Sequence, residues 1–369
     1  MKRAHEIADA ATDRPPSRRS KTLSGEMVGA LSRSYDVGEW LSASHEPKGR
    51  SNVSFLIATT TGKYVLRQSN PRKSAEGMLF EVGLMEFLRQ RGYPAPEVVA
   101  ARHGAKFIEH GGALYLLSRF IPGGHYDAEN PGHFREAGKM FGLYHKVIRH
   151  FPGPAYQRFA PVVPSLGPEG GRPFADIENF GKRFLEPGEQ RRLSDLFSYV
   201  RGQSQYLHSR LNDVYPRLLK LVIQGSYGRT ALIFDGDNIV GVVDYDRAAY
   251  ELRALDLACS IKDFCSIHGK FRKERQVALD YGLCRKFLAA YQELEPLPGD
   301  ELQVLPDIMR TRHVLTIIHR CNSFLLKAAD APRVEKQVRK LVQKLERESA
   351  WLEWLEKHEG ELASALSAA

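Results

Sequence analysis

Residues 221–246 read LVIQGSYGRTALIFDGDNIVGVVDYD, and no other stretch of the chain restricts its fold as much. Leu221-Val222-Ile223 is a short apolar run ending at a polar break, the pattern of a buried strand. Ala231-Leu232-Ile233-Phe234 and Ile239-Val240-Gly241-Val242-Val243 flank Asp235-Gly236-Asp237-Asn238. Two β-rich runs around Asp-Gly predict a hairpin, because these residues accept the positive φ that tight turns need. The second strand leads into Asp244 and Asp246. Two carboxylates one residue apart at a strand end can hold Mg²⁺ beside a phosphate chain. Spacing alone fits a solvated strand end at least as well.

The chain has 369 residues, enough for one large domain or two lobes. No apolar run reaches the eighteen or so residues that span a bilayer, and the first residues lack the apolar core of a secretory signal. A cytoplasmic protein with no membrane partner is expected. Cys259, Cys265, Cys284 and Cys321 form no C-x-x-C pair and read as reduced, buried thiols. The formal net charge of +9 favours phosphate-bearing partners, but part of it sits in residues 1–23. There Pro15-Pro16 and mixed charge without apolar periodicity predict a disordered basic tail. The chain lacks basic segments interleaved with aromatics, which argues against nucleic acid as a partner.

Past the tail, a short helix over Glu26 to Arg33 leads into Tyr35-Asp36-Val37-Gly38. Gly49-Arg50-Ser51-Asn52 precedes a strand from Val53 to Ala58, and Thr60-Thr61-Gly62-Lys63 turns into Tyr64-Val65-Leu66-Arg67. Leu79 to Arg91 has apolar residues at helical spacing, stopped by Gly92-Tyr93-Pro94-Ala95-Pro96. Two more strands are expected at 106–108 and Ala113 to Phe120 across Gly111-Gly112. Helices are expected over Phe134 to Phe151, Glu189 to Lys220, Gln276 to Glu293, Glu301 to Ala328 and Val334 to Leu362.

These motifs resemble the aminoglycoside phosphotransferase family, which includes type II homoserine kinases and choline kinases. Y-x-[LIV]-G, then G-x-x-N, a strand and T-x-x-G-x-Y-V-L-R is the pattern of its homoserine-kinase-like branch, matched here from Tyr35 through Arg67. The family's catalytic segment ends I-D-[FWY]-[DE], and Val243-Asp244-Tyr245-Asp246 is similar. The resemblance implies an α+β, bilobal, protein-kinase-like fold: an N-terminal lobe (24–121) with a five-stranded antiparallel sheet and a helix, and a mainly helical C-terminal lobe (122–369) that includes the hairpin and the acceptor pocket. It implies ATP and Mg²⁺ as cofactors, a small-molecule acceptor, and transfer to a hydroxyl.

By the same resemblance Asp244 would hold the metal, Asn52 and Arg67 would lie at the nucleotide phosphates, and Glu81 would pair with Arg67, with Glu76 as the competing choice. Ser118 and Phe120 fall where the family has its hinge against the adenine, with Leu116 another candidate for that slot. His145, in a segment like the family's L-x-x-L-H, is expected to be structural. Asp256 is expected to cap a helix or brace the active-site loop.

The first half of the catalytic motif departs from the family. Gln224-Gly225-Ser226 stands where the family has H-G-D, and Ala231 where it has the metal-binding Asn. Serine is no base near neutral pH, and alanine offers no lone pair to Mg²⁺. Two readings stay open: an active kinase in which Ser226 or Asp246 serves the catalytic role, and an inactive pseudokinase that binds nucleotide or metabolite and acts through a partner.

Overall fold

The computed structural model describes residues 23–46, 52–156, 160–267, 277–328 and 334–369. The expectations for the tail up to residue 22, for Gly49-Arg50-Ser51 and for a helix start at Gln276 lie outside the described residues. In chain order the first elements are α1 (Gly25–Ser34), β1 (Trp40–Glu46), β2 (Val53–Thr59), β3 (Gly62–Gln68), α2 (Ala75–Gln90), β4 (Ile108–His110), β5 (Ala113–Arg119) and β6 (Gly124–His125). Then come α3 (Pro131–Ile148), α4 (Arg172–Phe184), α5 (Pro187–Asn212), β7 (Lys220–Ile223), β8 (Leu232–Asp235) and β9 (Asn238–Val242). The chain ends with β10 (Ala249–Leu252), α6 (Arg253–Cys265), α7 (Tyr281–Gln292), α8 (Gly299–Ala328), α9 (Val334–Lys357) and α10 (Glu359–Ser367). Among the described residues no helix is long and apolar enough to cross a membrane.

The described residues form two compact units, which follow pairing in space rather than the sequence split at 121/122. The first holds 23–125, His150–Tyr156 and Leu232–Asp246; the second holds the remainder. The β8–β9 hairpin belongs to the first because β8 pairs antiparallel with β6, and because the Val242 N–H donates to the Pro94 carbonyl at 2.8 Å.

In the first unit, an antiparallel sheet runs in the order β1-β2-β3-β5-β4. Alternation along β2 and β3 sets its two faces apart. Phe55, Ile57, Tyr64, Leu66 and Leu117 point to a core shared with Leu31 and Tyr35 at α1. Register puts Leu56, Val65, Arg67, Leu116 and Ser118 on the opposite face. Helix α2 starts four residues before the apolar periodicity does, because the Ser74 hydroxyl accepts from the Gly77 N–H at 3.0 Å and caps it. Phe80 of α2 stacks on Tyr156 with ring centroids 4.7 Å apart, so residues 150–156 strap this helix. Gly77 is required there, since a Cβ would lie 2.6 Å from the Tyr156 hydroxyl. The hairpin turns as its Asp-Gly predicts: Asp235 pairs with Asn238, and Gly236 takes φ 56°.

The second unit is mainly helical. A core of Phe174, Ile177, Phe197, Val200, Ile317 and Leu345 fastens α4, α5, α8 and α9 together. The helix expected up to Lys220 stops at Asn212, and Lys220 opens β7, which pairs with β10. The last expected helix is divided into α9 and α10 at His358.

Candidate active site

Two cationic side chains of the first unit meet around one buried carboxylate. Glu81 on α2 is fully buried, and its two oxygens lie 2.6 Å from Arg67 Nη1 and 2.8 Å from Lys73 Nζ. Burial alone would raise the Glu81 pKa, but the fields of Arg67 and Lys73 overcome it and hold the carboxyl below its usual range. The choice between Glu81 and Glu76 is thereby made by geometry: Glu76 is one helical turn nearer the cap and exposed. Lys73 was missed in the sequence. It sits in the polar connection between β3 and α2, where Lys73 N–H donates to the Asn70 carbonyl, and no periodicity marks it.

The carboxylates at the end of the hairpin lie within the field of this cluster. Asp244 is, among the described residues, the one non-glycine residue at positive φ, at 72°. Backbone in this region is unfavourable for residues with a Cβ and tends to persist where the surroundings impose it. Solvent reaches the Asp244 side chain, yet crowding by protein atoms and its hydrogen bond and repulsion with Asp246 raise its pKa to about 6, against the pull of Arg67. Asp246 is 6% exposed, and Asn52 Nδ2 donates to its Oδ2 at 3.2 Å. Asn52 Oδ1 in turn accepts from the Asn70 N–H at 3.0 Å. Asn52 therefore positions Asp246.

Two crowded carboxylates with a shared hydrogen bond fit a divalent cation, whose charge would replace the proton between them. Among the described residues no group of three or more His, Cys, Asp and Glu side chains converges on one point. A Mg²⁺ ion here would take its other ligands from phosphate and water, its common habit.

In the second unit, the loop after β7 hangs on one face of α6. Asp256 accepts from the Gln224 N–H at 2.7 Å and the Gly225 N–H at 2.9 Å. Ser260 Oγ donates to the Tyr227 carbonyl at 3.0 Å, and Asp263 accepts from the Arg229 N–H at 2.8 Å. Positions 256, 260 and 263 are spaced i, i+4, i+7, one stripe of a helix. Asp256 thus braces the loop. His145 is fully buried between Asp256 at 3.4 Å and the Tyr291 hydroxyl at 2.8 Å, a structural placement. Gly225 has φ 73°, and a Cβ there would meet the Arg247 carbonyl at 2.6 Å. Gln224 is buried, its Oε1 accepting from the Ser226 N–H at 2.6 Å. Ser226 is half-buried, and Ala231 closes the turn before β8.

A family model described as phosphotransferase enzyme family matches residues 46–297. The chain belongs to that family. A homoserine kinase from Chelativorans sp. (strain BNC1) is 27% identical over 288 residues, covering 78% of this chain and 82% of its own. One from Methylobacillus flagellatus is 26% identical over 308 residues, covering 84% and 88%. A solved microcompartment-associated aminopropanol kinase has a TM-score of 0.64 at 17% identity, over 92% of this chain and 98% of that one. An amicoumacin kinase in complex with AMP-PNP and Ca²⁺ has a TM-score of 0.61 at 13% identity, over 89% and 94%. The expected protein-kinase-like α+β fold is therefore the fold of this chain.

Ser118 and Phe120 do not join the charged cluster. Ser118 pairs with Val65 on one side and Val98 on the other, and the Phe120 N–H is used by the Lys63 carbonyl at 3.0 Å. Leu116 and Ser118 do share the sheet face of Arg67, with Leu56 and Val65. Phe120, beyond the end of β5, is 38% exposed. The register that divides the two faces could not be read from the sequence.

Proposed function

We propose that this member of the phosphotransferase enzyme family transfers the terminal phosphoryl group of ATP to a hydroxyl of a small molecule. The observation that carries this reading is the buried Glu81 holding Arg67 and Lys73 beside the Asp244–Asp246 pair. Arg67 and Lys73 supply fixed positive charge for phosphate oxygens, and Glu81 fixes where that charge points. The apolar face of Leu56, Val65 and Leu116 next to Arg67 offers a surface for the adenine, with Ser118 at its rim. Held by Asp244, Mg²⁺ would neutralise charge on the phosphates and leave Asp246 free.

In the transfer, the acceptor oxygen forms a bond to the terminal phosphorus as the bond to the ADP oxygen breaks. The hydroxyl proton must leave. Asp246, oriented by Asn52, is the carboxylate available to receive it, since Ser226 cannot. A cytoplasmic setting and a soluble small-molecule acceptor go with this reading.

A second reading is favoured by Ser226 and Ala231: the chain binds nucleotide and transfers nothing, acting through a partner. Titration with ATP and Mg²⁺ followed by a phosphate-transfer screen separates the two. Transfer by the natural chain supports Asp246 as base. Binding without transfer, rescued by Ser226→Asp with Ala231→Asn, supports the inactive form. Absence of nucleotide binding defeats both.

A further inference from the structure

The stripe of α6 next to the one that braces the loop carries Cys259 and Lys262, and they meet cations of α8. Arg312 Nε donates to Cys259 Sγ at 3.1 Å. The Arg312 side chain is half-buried, and its Nη1 is buried without a hydrogen-bond partner. Lys262 places its ammonium over the Trp351 ring, 4.6 Å from the centroid. Arg320, one-third exposed, donates to Glu348 Oε1 at 2.8 Å, while Glu348 Oε2 is taken by His313 at 2.7 Å. Two carboxylates face these three basic side chains: Glu348, with both oxygens in use, and Asp263, which is exposed and shared with Arg229. Arg320 Nε, like Arg312 Nη1, is buried without a partner, and an unsatisfied donor of a charged group costs more than a neutral one.

We infer that Lys262, Arg312 and Arg320 form an oxyanion site that receives a carboxylate or phosphate carried by the acceptor alcohol. This rests on the phosphotransferase reading above and names its substrate class: small hydroxy acids or phosphorylated alcohols, not polycations. The placement fits. Asp263 follows Lys262 directly and holds the Arg229 N–H, so Lys262 and the loop bearing Ser226 are carried by adjacent stripes of one helix. Aminoglycoside-like or choline-like acceptors would meet repulsion here.

The groups facing the ligand are Lys262, Arg312, His313, Arg320 and Cys259, with Glu348 and Asp263 as the carboxylates. Burial, and then repulsion from Arg312, lower the Lys262 pKa to about 7. Burial holds His313 neutral, with a pKa near 3. Glu348 is held well below the carboxylate range by His313, Lys262 and Arg320, overcoming burial. Lys262 is accordingly the group that takes up a proton when an oxyanion arrives, and affinity should fall between pH 6 and pH 9.

The test titrates the full chain with 4-hydroxybutyrate, its neutral amide, glycerol 3-phosphate and ethanolamine, with ATP·Mg²⁺ titrated separately. The anionic pair should bind on the order of ten-fold or more tightly than the amide or the amine. Lys262→Met and Arg320→Gln should each erase most of that preference while leaving ATP affinity unchanged. Arg312→Gln should do the same if it folds, but the other two variants suffice. Equal affinity for acid and amide, or an undiminished preference in both Lys262→Met and Arg320→Gln, overturns the site. A preference for anions in a chain that fails to bind ATP keeps the site and removes the kinase reading instead.

Discussion

On the phosphotransferase reading proposed above, the Glu81 cluster and the Gln224–Arg229 loop keep a catalytic framework in two different ways. Around Glu81 the reactive side chains themselves are present: two cations, two carboxylates, and an asparagine orienting one of them. In the loop the scaffold is present and the reactive groups are absent. Asp256, Ser260 and Asp263 hold the backbone of Gln224, Gly225, Tyr227 and Arg229 in place, while serine and alanine stand at 226 and 231. A loop no longer needed for chemistry has little reason to keep a buried aspartate receiving two backbone N–H groups. The difference locates any loss of activity in side chains, not in the positioning of the backbone.

The sharpest way to break this contrast is to return the missing groups. Ser226→Asp with Ala231→Asn should raise phosphate transfer by roughly 10²–10⁴-fold, up to about 5 kcal/mol of barrier, if the loop is otherwise competent. A change below three-fold in steady-state transfer, in a variant that still binds ATP, would mean the loop backbone has drifted as well. Glu81→Ala attacks the other region. It leaves Arg67 and Lys73 buried without their carboxylate and should lower stability by about 3–5 kcal/mol, read by urea denaturation, with loss of ATP binding. Stability within 1 kcal/mol of the natural chain, on the scale of an ordinary surface pair, would show that the triad is not buried in solution.

The bracing itself is worth less. Asp256→Asn keeps the shape of the side chain but loses its charge, and hydrogen bonds to charged groups contribute about 1.5–3 kcal/mol. A loss of about 2 kcal/mol in urea denaturation is expected, with faster amide exchange at Gln224 and Gly225. Unchanged exchange at these two N–H groups would remove Asp256 from its bracing role.

Local sequence carried much of this architecture. The Asp-Gly turn of the hairpin, the two strands across Gly111-Gly112 and the apolar stripe of α2 each declare themselves through residues only a few positions apart, though the Ser74 cap did not. The resemblance carried Glu81 and Arg67 further, into one ion pair. What stayed hidden depended on distance. Lys73 reaches Glu81 from a connection without periodicity, and Asn52 finds Asp246 across 194 positions. The α6 stripe that braces the loop was visible only as Asp256, since Ser260 and Asp263 are unremarkable until the loop is laid against them. Arg253 at the start of α6 proves to be a wholly buried cation paired with Glu295 and Glu301.

The smallest expected effect concerns Asp244, and it sharpens the contrast by asking whether the reactive groups of the first unit are held under tension. The folded-state pKa of about 6 lies above the ordinary 3.8. Between these values the folded chain holds a proton that the unfolded chain has released, so stability falls as pH rises through the window. Above pH 6 the repulsion with Asp246 is fully present; below about 4 it is gone. Asp244→Asn removes the charge while an asparagine still accepts the positive φ, so backbone strain is not the variable. The variant should melt slightly above the natural chain at pH 8, the advantage shrinking to nothing toward pH 4.5. The gain is modest because solvent screens an accessible carboxylate. Adding Mg²⁺ with ATP should reverse the order at pH 8, stabilising only the natural chain. If the variant instead melts lower at pH 8 without metal, the pull of Arg67 outweighs the repulsion, and the carboxylate pair is stabilised without any cation between its members.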